Sequence, residues 1–337
     1  MADPNISEIA TTTLENRTGD LADNVTRNNA LLTRLSKRGN IKPVDGGRVI
    51  RQEIEWDNNL TYRRYSGYDA LNISPSTTFS SAEFNYAQAA VAISISGLEM
   101  LQNAGTEQII DLLASRISNA ERTMRNMISL DIYSDGTADG SKQIGGLQAI
   151  VPIDPTTGTV GGINRATAQN TFWRNQRYRA TTDGGAAMTN ANIQTYMNRL
   201  WYLCVRGADQ PGFIVADNTA YRLYEESLQA IQRIGAPDMA DAGFQTLKFK
   251  NADVVLDGGY QGSASLPSGY STGGAPSSTM YFLNTYYIFF RPHRKRNMVP
   301  LDPERFATNQ DAMVKLIGFA GNMTGSNFFL QGILNNS

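Results

Sequence analysis

Few residues in this 337-residue chain could do covalent chemistry, and their spacing argues against it. Gly269-Tyr270-Ser271-Thr272-Gly273 matches the G-x-S-x-G pattern, in which a strand-turn-helix forces a nucleophilic serine out above a sheet. Here no apolar strand leads into Ser271 and no helical periodicity follows it. A hydrolase of that plan places an acid between serine and histidine in chain order, yet residues 272–292 contain no Asp or Glu. The one histidine, His293, sits in the basic run Arg291-Pro292-His293-Arg294-Lys295-Arg296, and the one cysteine, Cys204, lies on an apolar helical stripe. Single copies exclude multi-cysteine zinc sites and every motif that needs two histidines. Asp135-x-Thr137-x-Asp139-Gly140 opens like a calcium loop, but its twelfth position is Gly146, where a bidentate Glu is required. No phosphate-cradling GxxxxGK or GxGxxG occurs. The expectation is a protein with no catalytic residues, no cofactor and no metal.

Charge narrows the partners as well. Lys plus Arg is 30 and Asp plus Glu is 31, a net charge of −1. Charged residues make up 18% of the chain, against about 25% in typical soluble domains. The polarity is carried by 28 Asn, 28 Thr and 23 Ser. That balance excludes a disordered acidic chain and a generally basic nucleic-acid binder, whose affinity rests on neutralising phosphates. The run at 291–296 could touch phosphate, but six residues are a weak signal, and a subunit contact or a solvated loop is the preferred reading. No apolar run approaches the ~18 residues that span a bilayer, and the start carries neither a basic nor an apolar leader stretch. The expectation is a chain made in the cytosol with no membrane partner.

The elements that would position these residues can be read in order. Asp20 could cap a helix with Leu21, Val25, Leu32 and Leu35 on its apolar side. Such a stripe, with few apolar neighbours nearby in sequence, is expected to pack on another surface or, equally, as a solvated helix on its own domain; Leu21, Val25, Leu32 and Leu35 are thus candidate contacts between subunits as well. Ile50, Ile54 and Trp56 alternate with Arg51, Glu53 and Glu55 in the period of a strand. Asp57-Asn58-Asn59 supplies a turn, and Thr61 to Tyr65 reads as the return strand. Tyr62, Arg63, Arg64 and Tyr65 could stack on single-stranded nucleic acid, but four Arg and four acids balance over residues 48–69. Ion pairs between subunits are therefore preferred, and with Trp56 these residues are the candidate contact set. A strand over 82–96 with a bulge follows. Ile109, Leu113, Ile117, Ala120, Met124 and Met127 then mark a helix over about 106–134. From 150 to 280 helices alternate with strands, including Phe213 to Asp217, Ala220 to Ile234 and Val254 to Leu256. Strands resume at 280–290, 313–320 and 327–334. The class is α+β with a mixed α/β portion.

Several stretches of local wording stand in this order: Asp23-Asn24-Val25-Thr26-Arg27-Asn28-Asn29-Ala30-Leu31-Leu32, Tyr65-Ser66-Gly67-Tyr68-Asp69, Ile144-Gly145-Gly146-Leu147, Phe172-Trp173-Arg174-Asn175 and Gln331-Gly332-Ile333-Leu334. Across essentially the whole chain the arrangement resembles the major capsid proteins of tailed bacteriophages, with the Hong Kong 97-like fold. The resemblance implies an N-terminal arm over 1–47 and an extended loop (the E-loop) over 48–84. It implies a peripheral domain over 85–149 with a spine helix at about 106–134, an axial domain over 150–280, and returning strands over 281–337. It further implies a non-enzymatic coat subunit that assembles as hexamers and pentamers into an icosahedral virion shell around double-stranded DNA. The implied partners are copies of itself, a portal and possible decoration proteins. Because the arm begins almost at Met1, a separate scaffolding protein is also expected. Some members cross-link through an E-loop lysine, but this chain has no Lys between Lys42 and Lys142, so no such bond is expected. The alternatives are another virion structural or adhesive binding protein, or a serine hydrolase using Ser271.

Overall fold

Continuous apolar runs such as Phe213–Ala216 and Thr279–Leu283 become the central strands of a sheet buried on both faces. The computed structural model describes residues 29–102, 106–228, 246–258, 274–306 and 312–337; Leu21, Val25 and Ser271 lie outside them. The large sheet has the order β6-β13-β10-β7-β9-β8. Its strands are β6 (Gln176–Arg179), β7 (Phe213–Ala216), β8 (Thr246–Phe249), β9 (Ala252–Leu256), β10 (Thr279–Leu283) and β13 (Gly332–Asn335). β6 with β13 and β7 with β9 are parallel; the other pairs are antiparallel. Successive side chains point to opposite faces. Phe213, Val215, Val255, Tyr281 and Ile333 therefore enter one core, and Ile214, Val254, Phe282 and Leu334 the other. Two of the chain's helices, Ile193–Cys204 and Asn218–Ser227, cover the second face with Met197, Leu200, Trp201, Tyr221 and Tyr224. Cys204 is buried there beside Gly332, and burial pushes its thiol pKa up.

A second sheet has the order β11 (Ile288–Phe306), β12 (Ala312–Gly325) and β3 (Ala87–Ser96). Residues 40–45 run parallel beside β11, where Lys42 N donates to Phe290 O at 3.0 Å and Val44 N to Pro292 O at 2.9 Å. A helix over Thr106–Asp131 packs on β3. Ile117, Ala120, Met124 and Ile128, three or four residues apart, are its buried stripe. Its 26 residues span about 39 Å at ~1.5 Å per residue.

Three expectations are corrected. The described N-terminal helix, α1 (Ala30–Lys37), is capped by Asn29, whose side chain accepts from Leu32 N. Leu32 and Leu35 are fully buried in the chain's own core, and Arg34 reaches Asp253 at 3.1 Å and Gly212 O at 3.2 Å. That burial takes both leucines off the surface available to a neighbour. The hairpin is also different: β1 (Ile50–Glu55) pairs with β2 (Phe79–Phe84), in the register Ile50↔Phe84 to Glu55↔Phe79. Thr61–Tyr65 forms no strand. Finally, the single strand expected over 82–96 is divided at Asn85-Tyr86, because β2 and β3 belong to different sheets.

The end of the long helix is the junction of the fold. Leu147 N donates to Ile132 O at 2.8 Å, and a methyl on Gly146 would lie 2.4 Å from the carbonyl oxygens of both Asp131 and Ile132. Only glycine permits that approach. Tyr133 donates to Asp257 Oδ2 at 2.6 Å, tying the helix end to the end of β9. Arg165 is completely buried beside this junction. It donates to Trp173 O at 3.1 Å, to Ala149 O at 3.3 Å and to Ile150 O, and its guanidinium lies 5.2 Å from the Phe328 ring. Burial lowers its pKa to about 10, which leaves it charged at neutral pH. Arg165→Met strands three carbonyl acceptors and should cost about 3 kcal/mol in urea unfolding of the purified chain. Lysine, lacking the planar fork, should recover little of it.

Asp131 is buried at the same place, and burial pushes its pKa from 3.8 up to about 6, against the hydrogen bond from Gln143 Nε2 at 2.7 Å. A folded-state pKa above the unfolded one gives stability that is complete below the unfolded pKa and lost as pH rises through the folded one. Asp131→Asn should therefore stabilise the subunit by about 2 kcal/mol near pH 8. The advantage should shrink as pH falls through the window from 6 toward 3.8, read from urea midpoints across that range.

Candidate functional site

The surface feature that stands apart is the segment joining β1 to β2. Residues 56–78 leave the ribbon and return to it without forming a strand. Ile50, Ile54, Ala82 and Phe84 fix the root of the ribbon because they point into the core from one face. A small hairpin, β4 (Thr159–Val160) and β5 (Ile163–Asn164), supports that root. Its turn glycine, Gly161, has φ +59° and lies so close to the ribbon that a methyl would be 2.8 Å from Ala82 Cβ. Glu83 N donates to Gly161 O at 2.9 Å. The root is held; the tip is not covered.

The candidate residues divide accordingly. Trp56 is half-buried, its ring 5.7 Å from that of Phe172 in the same chain, and Trp56 N continues the ladder to Thr78 O. Tyr62, Arg63, Arg64 and Tyr65 are all exposed along the loop. Among the described residues neither Arg63 nor Arg64 has an acidic partner at ion-pair distance. Local hydrogen bonds shape the loop: Asn59 Oδ1 accepts from Thr61 N at 3.0 Å and Asp69 Oδ2 from Ser66 N at 3.0 Å. The structure adds residues that the sequence reading missed. Leu60, Tyr68, Leu71, Ile73 and Phe79 are exposed on the same excursion, Ile73 to 92%. Apolar residues that fit no strand period inside a polar run were the available signal.

A groove of about 620 Å³ opens at the foot of the ribbon, lined by Trp56, Phe172, Tyr202, Leu203, Arg206 and Phe329. It holds neither histidine nor cysteine, and Glu55 is its only carboxylate, so no acid–base pair or nucleophile converges there. Its chemistry is that of a surface that can bury apolar groups. Among the described residues no cluster of His, Cys, Asp and Glu is placed to hold a metal ion, and no helix is long and apolar enough to cross a membrane. Asp135 Oδ1 accepts from Thr137 N and Oγ1, closing a local turn.

No protein-family model and no curated protein sequence matches the chain. Solved structures do match its shape. The cyanophage A-1(L) capsid subunit aligns with a TM-score of 0.55 at 14% identity, covering 87% of this chain and 89% of that one. The capsid of an empty GTA particle gives 0.54 at 12% identity, covering 90% of each chain. The mature capsid of bacteriophage PhiM1 gives 0.51 at 11% identity, with 89% of this chain and 86% of that one. This chain has the phage capsid protein fold.

The contrast between root and tip is measurable in the unassembled subunit. Trp56→Ala loses packing against Phe172 and should lower unfolding stability by about 1 kcal/mol. Ile73→Ser touches nothing that holds the fold and should stay within about 0.5 kcal/mol of the parent in the same urea titration.

Proposed function

We propose that this chain is the major coat subunit of a tailed-phage virion. On this reading it assembles in the host cytoplasm as hexamers and pentamers into an icosahedral shell around double-stranded DNA, and it performs no catalysis. The observation that carries the reading is the apolar loop on a capsid-like fold: a ribbon held firmly at its root carries Leu60, Tyr62, Tyr65, Leu71 and Ile73 into solvent. Burying one such side chain yields about 1.5–3 kcal/mol, so a neighbouring copy that covers several of them gains a stable contact. The loop is the E-loop of the resemblance, the Thr106–Asp131 helix its spine helix, and the six-stranded sheet with its two helices the axial domain. Copies of the chain and a portal are the assembly partners. With no Lys between Lys42 and Lys142, contacts made through this loop stay non-covalent.

Light scattering and negative-stain microscopy of the purified chain, with and without candidate scaffolding protein, test the proposal. Closed shells are expected in at least one of these conditions; an oligomer that never grows beyond a few copies would instead favour an adhesive or other virion binding protein. Tyr62→Ser with Ile73→Ser should raise the threshold concentration for assembly by about tenfold or more, since each 1.4 kcal/mol lost is tenfold. Particles boiled in denaturant should run as monomers on a gel, with no ladder of multimers.

A further inference from the structure

The run Arg291–Arg296 is not a regular piece of strand. Pro292 pairs with Gly321 and Asn297 with Phe319, so β11 advances five residues while β12 advances two. The extra residues form a bulge, which pushes side chains out of the plane of the sheet. Lys295 N closes it by donating to His293 Nδ1 at 3.1 Å, and the His293 ring meets the edge of Tyr86 at 6.0 Å. Arg294, Lys295 and Arg296 are all exposed on this bulge. Residues 40–46, which run alongside, add Lys42 and one acid, Asp45. Asp45 pairs with Arg294 at 2.9 Å, both side chains about two-thirds exposed. Among the described residues the partner of Arg296 is the neutral Gln88 Oε1, at 3.3 Å. The two segments together hold five Lys or Arg against a single acid.

Much of the acid charge on the described surface is already taken, although Asp135 and Asp139 stand exposed without an arginine partner. The loop region 48–69 is balanced, with four Arg and four acids. Asp154, Asp183, Glu226 and Asp253 are already paired with arginines of their own chain. A second copy docking through the loop or these paired acids would leave the bulge uncompensated. A phosphodiester backbone, with charge at every residue and no need of a shaped pocket, fits a protruding row of cations. We propose that the 293–296 bulge is a phosphate-contacting site that takes the backbone of duplex DNA without regard to sequence. The choice of duplex DNA rests on the shell reading above; the phosphate chemistry rests on the bulge itself.

The test is a titration of the unassembled full-length subunit against a fluorescent 30-base-pair duplex of arbitrary sequence, read by anisotropy at several salt concentrations. The parent should bind with a steep salt dependence. Arg294→Gln, Lys295→Gln and Arg296→Gln combined should weaken binding at least about tenfold at low salt. It should also flatten the log–log salt slope by about 2–3, near 0.9 for each phosphate no longer neutralised. Binding by the triple variant equal to the parent's would overturn the proposal. So would capture of a synthetic peptide of residues 1–23, which carry five acids and one base, by the parent but not the variant, with DNA ignored by both. Because the titration needs no shell, failure to form particles alongside this DNA response would sink the shell reading and leave the phosphate site standing.

Discussion

The fold depends on one close approach of backbone to backbone. Gly146 lies against the last carbonyls of the long helix at a distance that no side chain would allow. From that contact the chain turns so that Leu147 caps Ile132, Ser134 Oγ donates to Ile144 O, and Arg165 gathers the carbonyls of Ala149 and Ile150. Tyr133 reaches across to Asp257 at the end of β9. The helix, the six-stranded sheet and the segment beneath the ribbon are thus fixed relative to one another within a few residues. A rigid junction matters because the ribbon's direction is set there too, through Gly161 and the two buried residues Ala82 and Phe84.

Beyond its root the ribbon follows a different physical rule. A two-stranded ribbon is marginal alone in water, and the pair Arg51–Glu83 at 3.0 Å is too exposed to add much. The bases of β1 and β2 are stable because one face enters the core. Past Trp56 no second surface among the described residues covers the apolar groups, and local turns made by Asn59 and Asp69 hold the shape instead. Apolar surface of this extent on a loop marks a place where another molecule completes the packing.

The legible parts of the sequence were those governed by short periods. The runs at 213–217 and 254–256 are strands of the large sheet, and the stripe through Ile117, Ala120 and Met124 is the long helix. The run at 280–290 is instead divided by a turn between β10 of the large sheet and β11 of the second, and the strand expected from 327 begins only at Gly332. What depended on distant partners was not legible. The turn at Asp57-Asn58-Asn59 read as a hairpin because nothing local says that β1 waits for Phe79–Phe84. Leu32 and Leu35 read as contacts for a neighbouring subunit because the surface that buries them includes Gly212 and Asp253, far along the chain. Arg165 carried no signal at all: one arginine in a Gly- and Asn-rich stretch looks like any solvated cation until the carbonyls around it are placed. Of the candidate contact residues, those on the loop keep their exposure and those on α1 lose it. The difference lies in whether the rest of the chain supplies a cover.

The two exposed features respond to different variables, and this bears on the composition. Burial of the loop's apolar groups is strengthened by excluded salts and weakens on cooling. Attraction to the cationic bulge decays within a Debye length of about 10 Å at 0.1 M salt. A chain with net charge −1 has little long-range repulsion between copies, so the loop contacts need not overcome a large like-charge barrier. Local charge can then be concentrated at 293–296 without making the whole molecule a polycation. Low overall charge and a dense cationic bulge are therefore compatible: on the proposed reading, apolar loop contacts join copies of the chain while the bulge at 293–296 meets a phosphate backbone.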